Sequence, residues 1–324
     1  MAAYQLGSHG AQVVQIQEAL KAKGLYRGPI DGAFGGGTHA AAAAFQRANG
    51  LAPDGRVGPR TWAALFGSTA QIPASEIAQE NVAKRCLALT GAFETGAGVP
   101  DCFCGLSGDF DGQGISFGVL QWNFGQGSLQ PLLREMAEQH PRVSQAIFGS
   151  HFEPLKEALA AAHEELMSFA RSVQHPVTHA IFEPWRGYAK ALGRTPEFQQ
   201  IQLKHADGRF RQALGMCRDY GLWSERAAAL MFDIVTQNGS IAKITAAQIR
   251  AEIGMLPTDL PEKELELRKL EIIANRRAEA ANPRWVDDVR RRKLCIARGA
   301  GVVHGIAYDL EAQFGIRLER YAAH

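Results

Sequence analysis

At 324 residues the chain has room for about two domains, and 46% hydrophobic with 21% charged residues is the balance of a chain that buries a core. A net charge of +2 is too small to point to nucleic acid. No apolar run approaches the roughly 20 residues of a membrane span, so stable membrane association is not expected. The opening Met1-Ala2-Ala3-Tyr4-Gln5 lacks the basic start and apolar core of a secretory signal. A cytoplasmic protein that reaches an external substrate by another route is therefore the expectation. Five cysteines, Cys86, Cys102, Cys104, Cys217 and Cys295, are an odd number and argue against a full disulfide framework. Cys102-Phe103-Cys104 is too closely spaced for the usual zinc pair and has no second pair to complete it. Packing as small apolar thiols is the plain expectation. Neither metal nor cofactor is expected, and the chain reads as a monomer.

In chain order, Val13, Ile16 and Leu20 fall on one helical face, with Gly24 as a stop. Thr38 opens a second helix through Ala41, Ala44, Phe45 and Ala48, closed by Gly50. Pro59 suits the first turn of a third helix carrying Trp62, Leu65 and Phe66. Beneath this lies a repeat: Asp31-Gly32-Ala33-Phe34-Gly35 through Thr38 and Ala41 is echoed by Asp54-Gly55-Arg56-Val57-Gly58 through Thr61 and Ala64. Each copy reads as a tight Asp-Gly turn, then a Thr N-cap, then a helix.

This pattern, from Leu6-Gly7-Ser8 through both Asp-Gly turns, Phe45-Gln46 and Thr61-Trp62, closely resembles the peptidoglycan-binding domain of many cell-wall hydrolases. The resemblance implies peptidoglycan as a partner. Phe45, Trp62 and Leu65 read as core at helical spacing. Contact with glycan or stem peptide is assigned to a polar, semi-exposed set: Tyr26, Asp31, Thr38, Arg60 and Thr61. The domain is placed at residues 1–67, with a Pro-containing polar linker at 68–80 and Ser75 as N-cap of the next helix.

The catalytic body is placed at 81–324. Ile77, Val82, Cys86, Leu89 and Phe93 predict a helix ending near Glu94 and broken by Thr95-Gly96-Ala97-Gly98. Hydrolysing a glycosidic bond takes two carboxyl groups in unlike surroundings, one protonated to donate to the leaving oxygen and one ionised. Partial burial of Glu94 beside Phe93 would raise its pKa, as a general acid requires; the alternative is a solvated Glu at a helix end. Asp111-Gly112-Gln113-Gly114 is a turn with room for a ligand, and Ile115, Phe117 and Val119 alternate as in a short buried strand. Asp109 competes with Asp111 for the second carboxylate. The spacing does not fit a twelve-residue calcium loop.

Asp111 to Trp122, Asp-Gly-Gln-Gly-Ile-Ser-Phe-Gly-Val-Leu-Gln-Trp, resembles the Asp-Gly-x-Gly-x-Thr-x-Gly segment of bacterial chitosanases, a branch of the lysozyme-like superfamily. The resemblance implies Glu94 as acid, Asp111 as base, Ser116 in place of a water-orienting Thr, and inversion. The insertion from Val99 to Leu106 departs from that family.

The remainder reads as helical. Leu155 to Phe169 is periodic, Thr195-Pro196-Glu197 starts a helix, Ser224 caps Glu225 to Thr236, and Pro261 to Ala281 is a charged amphipathic helix. Gln237-Asn238-Gly239 is either a helix cap or a break that faces the cleft. Gln121, Trp122, Asn123, Gln237 and Asn238 are the substrate-binding candidates. The basic C-terminal run (Arg276, Arg277, Arg284, Arg290, Arg291, Arg292, Lys293, Arg298) is a solvated face or a set of arginines that braces an Asp from inside. A basic surface favours an anionic wall, whereas a chitosanase cleft should be acidic.

The expected fold is mainly α: a small three-helix binding domain, then a larger lysozyme-like α-rich domain with a short β-hairpin or small sheet. The expected function is an endolysin-type muramidase acting on peptidoglycan glycan. Rivals are a chitosanase with a wall anchor, a lytic transglycosylase that needs only the acid, and a Cys/His peptidase using Cys102 or Cys104 with His151 or His304. Outside the enzymes, a virion wall-binding protein remains.

Overall fold

The computed structural model describes residues 4–6, 8, 10–67 and 75–321. Helices dominate: α1 (Ala11–Ala22), α2 (Gly36–Ala48), α3 (Pro59–Phe66) and α4 (Val82–Thr95) precede a three-stranded antiparallel sheet. Its strands are β1 (Leu106–Ser107), β2 (Ser116–Phe117) and β3 (Trp122–Asn123). Then come α5 (Gln130–Gln139), α6 (Pro141–Phe148), α7 (Phe152–Ala160), α8 (His163–Ser172), α9 (Trp185–Arg194) and α10 (Pro196–Asp219). The C-terminal part holds α11 (Glu225–Asn238), α12 (Lys243–Gly254), α13 (Glu262–Glu279), α14 (Val286–Arg298), a hairpin of β4 (Ala300–Val303) and β5 (Ile306–Asp309), and α15 (Leu310–Phe314). The mainly α architecture with a small sheet is as the sequence predicts; the second hairpin is not. Two compact units are present, one of Met1–Leu89 with Arg209–His324 and one of Thr90–Gly208.

The N-terminal module buries Val13, Ile16, Leu20, Phe45, Trp62 and Leu65, the faces expected of its three helices. Tyr4 pairs with Val57 through two backbone hydrogen bonds (3.0 and 2.8 Å) and closes the module. The threonines are not the N-caps. Gly35 and Gly58 hold those positions, so Thr38 and Thr61 lie inside the first helical turn, where their hydroxyls accept from Gln17 Nε2 (3.2 Å) and Gln46 Nε2 (3.1 Å). Each glutamine sits over its Asp-Gly turn, and this is how the sequence repeat is realised in three dimensions.

Most of the expected linker, 68–74, lies outside the described residues, as does Gly7 of the Leu6-Gly7-Ser8 signature. Ser75 caps nothing with its side chain; its hydroxyl donates to the Gln313 carbonyl (2.6 Å). The single helix expected over Ile77 to Phe93 is two pieces, a 3-10 turn at Glu76–Gln79 and then α4. Asn81 caps α4, its Oδ1 accepting from Lys84 N at 2.9 Å. The periodic run Leu155 to Phe169 is likewise broken between α7 and α8.

The expected starts of α10 and α11 are present. Ser224 Oγ accepts from Ala227 N at 3.1 Å, and α13 buries Leu270, Ile273 and Ala274. Arginine does brace an aspartate from inside, but the aspartate is Asp233 on α11. Arg292 Nη2 lies 2.6 Å from its Oδ1, Lys293 hydrogen-bonds its Oδ2, and all three residues are buried. Desolvation would push the Asp233 carboxyl up, yet the two cations outweigh it and hold it below the usual range, while burial lowers Lys293 to about 8.

Candidate active site

The last turn of α4 places Glu94. Ala92 and Phe93 point into the core, and Gly96, at φ +68°, ends the helix. Thr95 Oγ1 donates to the Gly91 carbonyl (2.8 Å) and accepts from Ala97 N (3.1 Å), so the turn is pinned on both sides. Gly91 is required here, because a Cβ would come within 2.2 Å of Val119 Cγ2. Glu94 itself is exposed, not half-buried as expected beside Phe93. At the end of the helix the side chain one position past Phe93 rotates away from the core.

Glu94 opens into a cavity of about 470 Å³ within the unit Thr90–Gly208. Around it stand Thr95, Asp101, Cys104, Ser107, Gln121, Lys190 and Arg194, with Ala97, Gly105 and Leu106 between them. Arg194 Nε meets Asp101 Oδ1 at 2.7 Å, which raises the guanidinium pKa further. Ser107 Oγ donates to Gln121 Oε1 (3.0 Å), and Gln121 Nε2 donates to the Gly118 carbonyl (2.9 Å). Gln121 holds a left-handed backbone, φ +53°, a conformation that costs a non-glycine residue on the order of 1–3 kcal/mol and that clusters at functional sites. Gly105 makes room for it: a Cβ there would lie 2.5 Å from Gln121 Nε2.

The turn between β1 and β2 carries the other acids. Asp109 N donates to Gln174 Oε1 (2.8 Å), and its Oδ1 accepts from Gly114 N (2.7 Å). Asp111 is exposed at the tip, its Oδ1 accepting from Gln113 N (3.1 Å). Between them Phe110 is 70% exposed, with its ring 5.1 Å from that of His179. Ser116 pairs with Ser107 on one side and Asn123 on the other. Asp109, Asp111 and Ser116 are not among the residues that line the cavity of Glu94. Ile115, Phe117 and Val119 are buried as expected, but the strand is only two residues long, because Gly118 turns at φ +88°.

Of the expected substrate contacts, Gln121 reaches the cavity. Trp122 and Asn123 are buried in the sheet, where Asn123 Oδ1 accepts from Gln126 N (2.8 Å). Gln237 and Asn238 belong to the other unit and accept from Lys293 Nζ (2.6 Å) and Arg277 Nε (3.0 Å). In the N-terminal module Tyr26, Thr38 and Thr61 are buried, not semi-exposed, since the two glutamines recruit polar groups inward; Asp31 and Arg60 remain exposed.

All five cysteines are free and buried. Burial pushes Cys102 far up and Cys104 to about 12, so both are thiols at neutral pH. Cys104 Sγ–H donates to the Lys190 carbonyl (3.5 Å), His151 meets Tyr188 and His304 meets Asp288, which leaves no Cys/His pair for a peptidase among these contacts. Among the described residues no cluster of three or more His, Cys, Asp or Glu could hold a metal, and no helix is long and apolar enough to cross a membrane.

Sequence reasoning missed Asp101, Ser107, Lys190 and Arg194. The last two carried a signal: four residues apart on one helix, they share a face. Asp101 sits in the segment that departs from the chitosanase pattern, Ser107 follows it on β1, and neither had a motif to mark it.

Comparison with known proteins gives a match at the N-terminus. The family model described as "Putative peptidoglycan binding domain" covers residues 9–65. A spore cortex-lytic enzyme of Bacillus cereus is 42% identical over 65 residues, 20% of this chain and 25% of that protein. The N-acetylmuramoyl-L-alanine amidase CwlM of Mycobacterium tuberculosis is 42% identical over 65 residues, 19% of this chain and 16% of that protein. The chain thus spans a quarter or less of the length of these two curated relatives. Among solved structures, the native chitosanase of Bacillus subtilis MY002 aligns with a TM-score of 0.40 at 19% identity, over 68% of this chain and 87% of that one. The Burkholderia AP3 phage endolysin aligns with a TM-score of 0.20 at 15% identity, over 92% and 100%. Residues 9–65 of this chain, with their paired Asp-Gly turns and glutamine hubs, match the peptidoglycan-binding domain family.

Proposed function

We propose that the chain is a cell-wall hydrolase that cleaves the glycan strands of bacterial peptidoglycan, as a muramidase of the endolysin type with a lysozyme-like catalytic body. The N-terminal module tethers it to the wall and raises the local concentration of substrate. The domain division is 1–67 for binding, 68–80 for the joint and 81–324 for catalysis, and the place of action is the wall, reached once the enzyme is released from the cytoplasm. The observation that carries this reading is Glu94, an acid at a helix end that opens into a polar cavity large enough for a sugar, beside a strained Gln121.

In this reading Glu94 is the general acid. It is exposed and lines the cavity, where a bound glycan can reach its carboxyl group. Asp111, with Asp109 as the alternative, is the base that draws a proton from the attacking water, and Ser116 orients that water. Inversion requires the two carboxyls to stand roughly 6.5–9.5 Å apart across the sugar.

A second reading is favoured by one observation: the cavity contains Glu94 and lacks Asp109, Asp111 and Ser116, while its other carboxylate, Asp101, is engaged by Arg194. A lytic transglycosylase needs only the acid, because the sugar's own 6-hydroxyl attacks. Mass spectrometry of the muropeptides released from purified walls separates the two. Reducing ends mark hydrolysis and 1,6-anhydro ends mark transglycosylation. Asp111→Asn loses on the order of 10²-fold in the first case and little in the second. Intact walls after treatment with the wild-type chain would contradict both and leave a wall-binding protein.

A further inference from the structure

We propose that Lys190 and Arg194 select a glycan that carries carboxylates, so that the cavity beside Glu94 takes an anionic wall polymer in preference to a neutral or cationic one. This rests on the reading of Glu94 as the acid of a glycan-cleaving site.

Both cations come from the last turns of α9 and reach the wall that Glu94 also lines. The helix that carries them is closely seated. Gly193, between them, sits so close to the Asp101–Cys104 turn that a Cβ would lie 2.8 Å from Cys104 Sγ and 2.9 Å from the Phe103 carbonyl. The Cys104 thiol donates to the Lys190 carbonyl and ties the same helix down from its side (3.5 Å). Asp101 takes only the Nε edge of Arg194, and a guanidinium has further N–H donors to offer a ligand. Lys190 is exposed.

The ionisable charges on the wall are Glu94, Asp101, Lys190 and Arg194. A general acid must hold its proton before it donates. In that state Glu94 is neutral, Asp101 contributes one negative charge, and Lys190 and Arg194 contribute two positive ones, which leaves a net +1 facing the ligand. One carboxylate balances it. A polymer of glucosamine brings ammonium groups to the same place and is repelled. Two carboxylates are available beside a muramyl sugar: the lactyl group in strands stripped of peptide, and the acidic side chains and termini of the stem peptide in intact strands.

The test measures reducing-end release by the full chain from intact strands, peptide-stripped strands, N-acetylglucosamine oligomers and chitosan. Wild type, Lys190→Gln, Arg194→Gln and Glu94→Gln are compared, with the exposed Lys263→Gln as a charge control. Lys190→Gln should raise KM about fivefold on a carboxylate-bearing strand, the range of an exposed charge pair, with kcat within about twofold and an unchanged melting temperature. Added salt should raise the wild-type KM and affect the variant less. A larger effect on stripped strands identifies the lactyl carboxylate; an effect confined to intact strands identifies the stem peptide. An unchanged KM on both strands, or a wild-type preference for chitosan, overturns the inference while Glu94→Gln inactivity keeps the function. Activity that survives Glu94→Gln, or no cleavage of any substrate, removes both.

Discussion

Gln46 repeats in the second half of the binding module the contacts that Gln17 makes in the first. Gln17 Nε2 donates to Asp31 Oδ1 (2.8 Å) and its Oε1 accepts from Gly32 N (2.9 Å); Gln46 Nε2 donates to Asp54 Oδ1 (2.9 Å) and its Oε1 accepts from Gly55 N (2.8 Å). Each amide has two N–H bonds, yet a further turn carbonyl and a Thr hydroxyl lie within reach, so the hydrogens are shared among more acceptors than they can serve at once. Both glutamines are buried. Gln17→Ala or Gln46→Ala strips the partner from a buried Gly N–H and leaves an Asp-Gly turn unsupported. Each should cost about 1–3 kcal/mol, read as a lower melting temperature of the module's transition in calorimetry.

The second of these turns confers acid sensitivity. The Arg56 backbone N–H holds the Asp54 carboxyl below its ordinary range. A carboxyl depressed in the folded state contributes stability above its unfolded pKa of about 3.9 and loses it as the pH falls through the folded value. Asp54→Asn should therefore flatten the fall in the module's thermal midpoint below about pH 4; an identical fall in both proteins would contradict this.

The buried cluster on α11 and α14 should respond asymmetrically. Asp233→Asn leaves Arg292 and Lys293 as two uncompensated cations and should cost about 3–5 kcal/mol; Lys293→Met leaves a neutral Asp–Arg pair and should cost far less. Burial lowers Lys293 to about 8, so above that pH the unfolded chain holds the lysine proton more tightly than the folded one. Stability from this group therefore rises between about pH 8 and the unfolded value near 10.4. The buried cysteines act oppositely over the same range but are common to both proteins. Urea denaturation should show wild type gaining on Lys293→Met as pH rises through that window.

Gln121 separates strain from function. Gln121→Gly relieves a left-handed backbone and should leave the fold as stable or slightly more so, while the cavity loses the amide that Ser107 orients and activity falls about tenfold. Gly105→Ala should do similar harm by a different route, its Cβ displacing Gln121 Nε2 and Thr95 Cγ2. Melting curves beside wall-clearing rates check both. Equal losses in stability and rate would make Gln121 merely structural.

Much of the fold was legible because the relevant signals are local. Helical spacing of Val13, Ile16 and Leu20, Pro59 at a helix start and the Ser224 cap all act within a few residues. The second hairpin had a local signal too, His304-Gly305 with both residues at positive φ, but it is short and lay within a basic helical context. Burial was harder to read. Thr38 and Thr61 look like caps until a glutamine from another helix is brought over them, and Glu94 looks half-buried until the helix end turns it outward. The cavity wall was least legible: Asp101 and Arg194 form one ion pair across 93 positions of sequence, and no spacing rule connects them.

The measurement closest to the central claim is the product analysis of purified peptidoglycan treated with the wild-type chain and with Glu94→Gln, at matched binding to the walls. The account predicts soluble muropeptides with new glycan ends from the wild type, and a loss on the order of 10²-fold or more from the variant with wall binding intact through residues 9–65. Equal release by both proteins, or release of peptides with the glycan uncut, would contradict it.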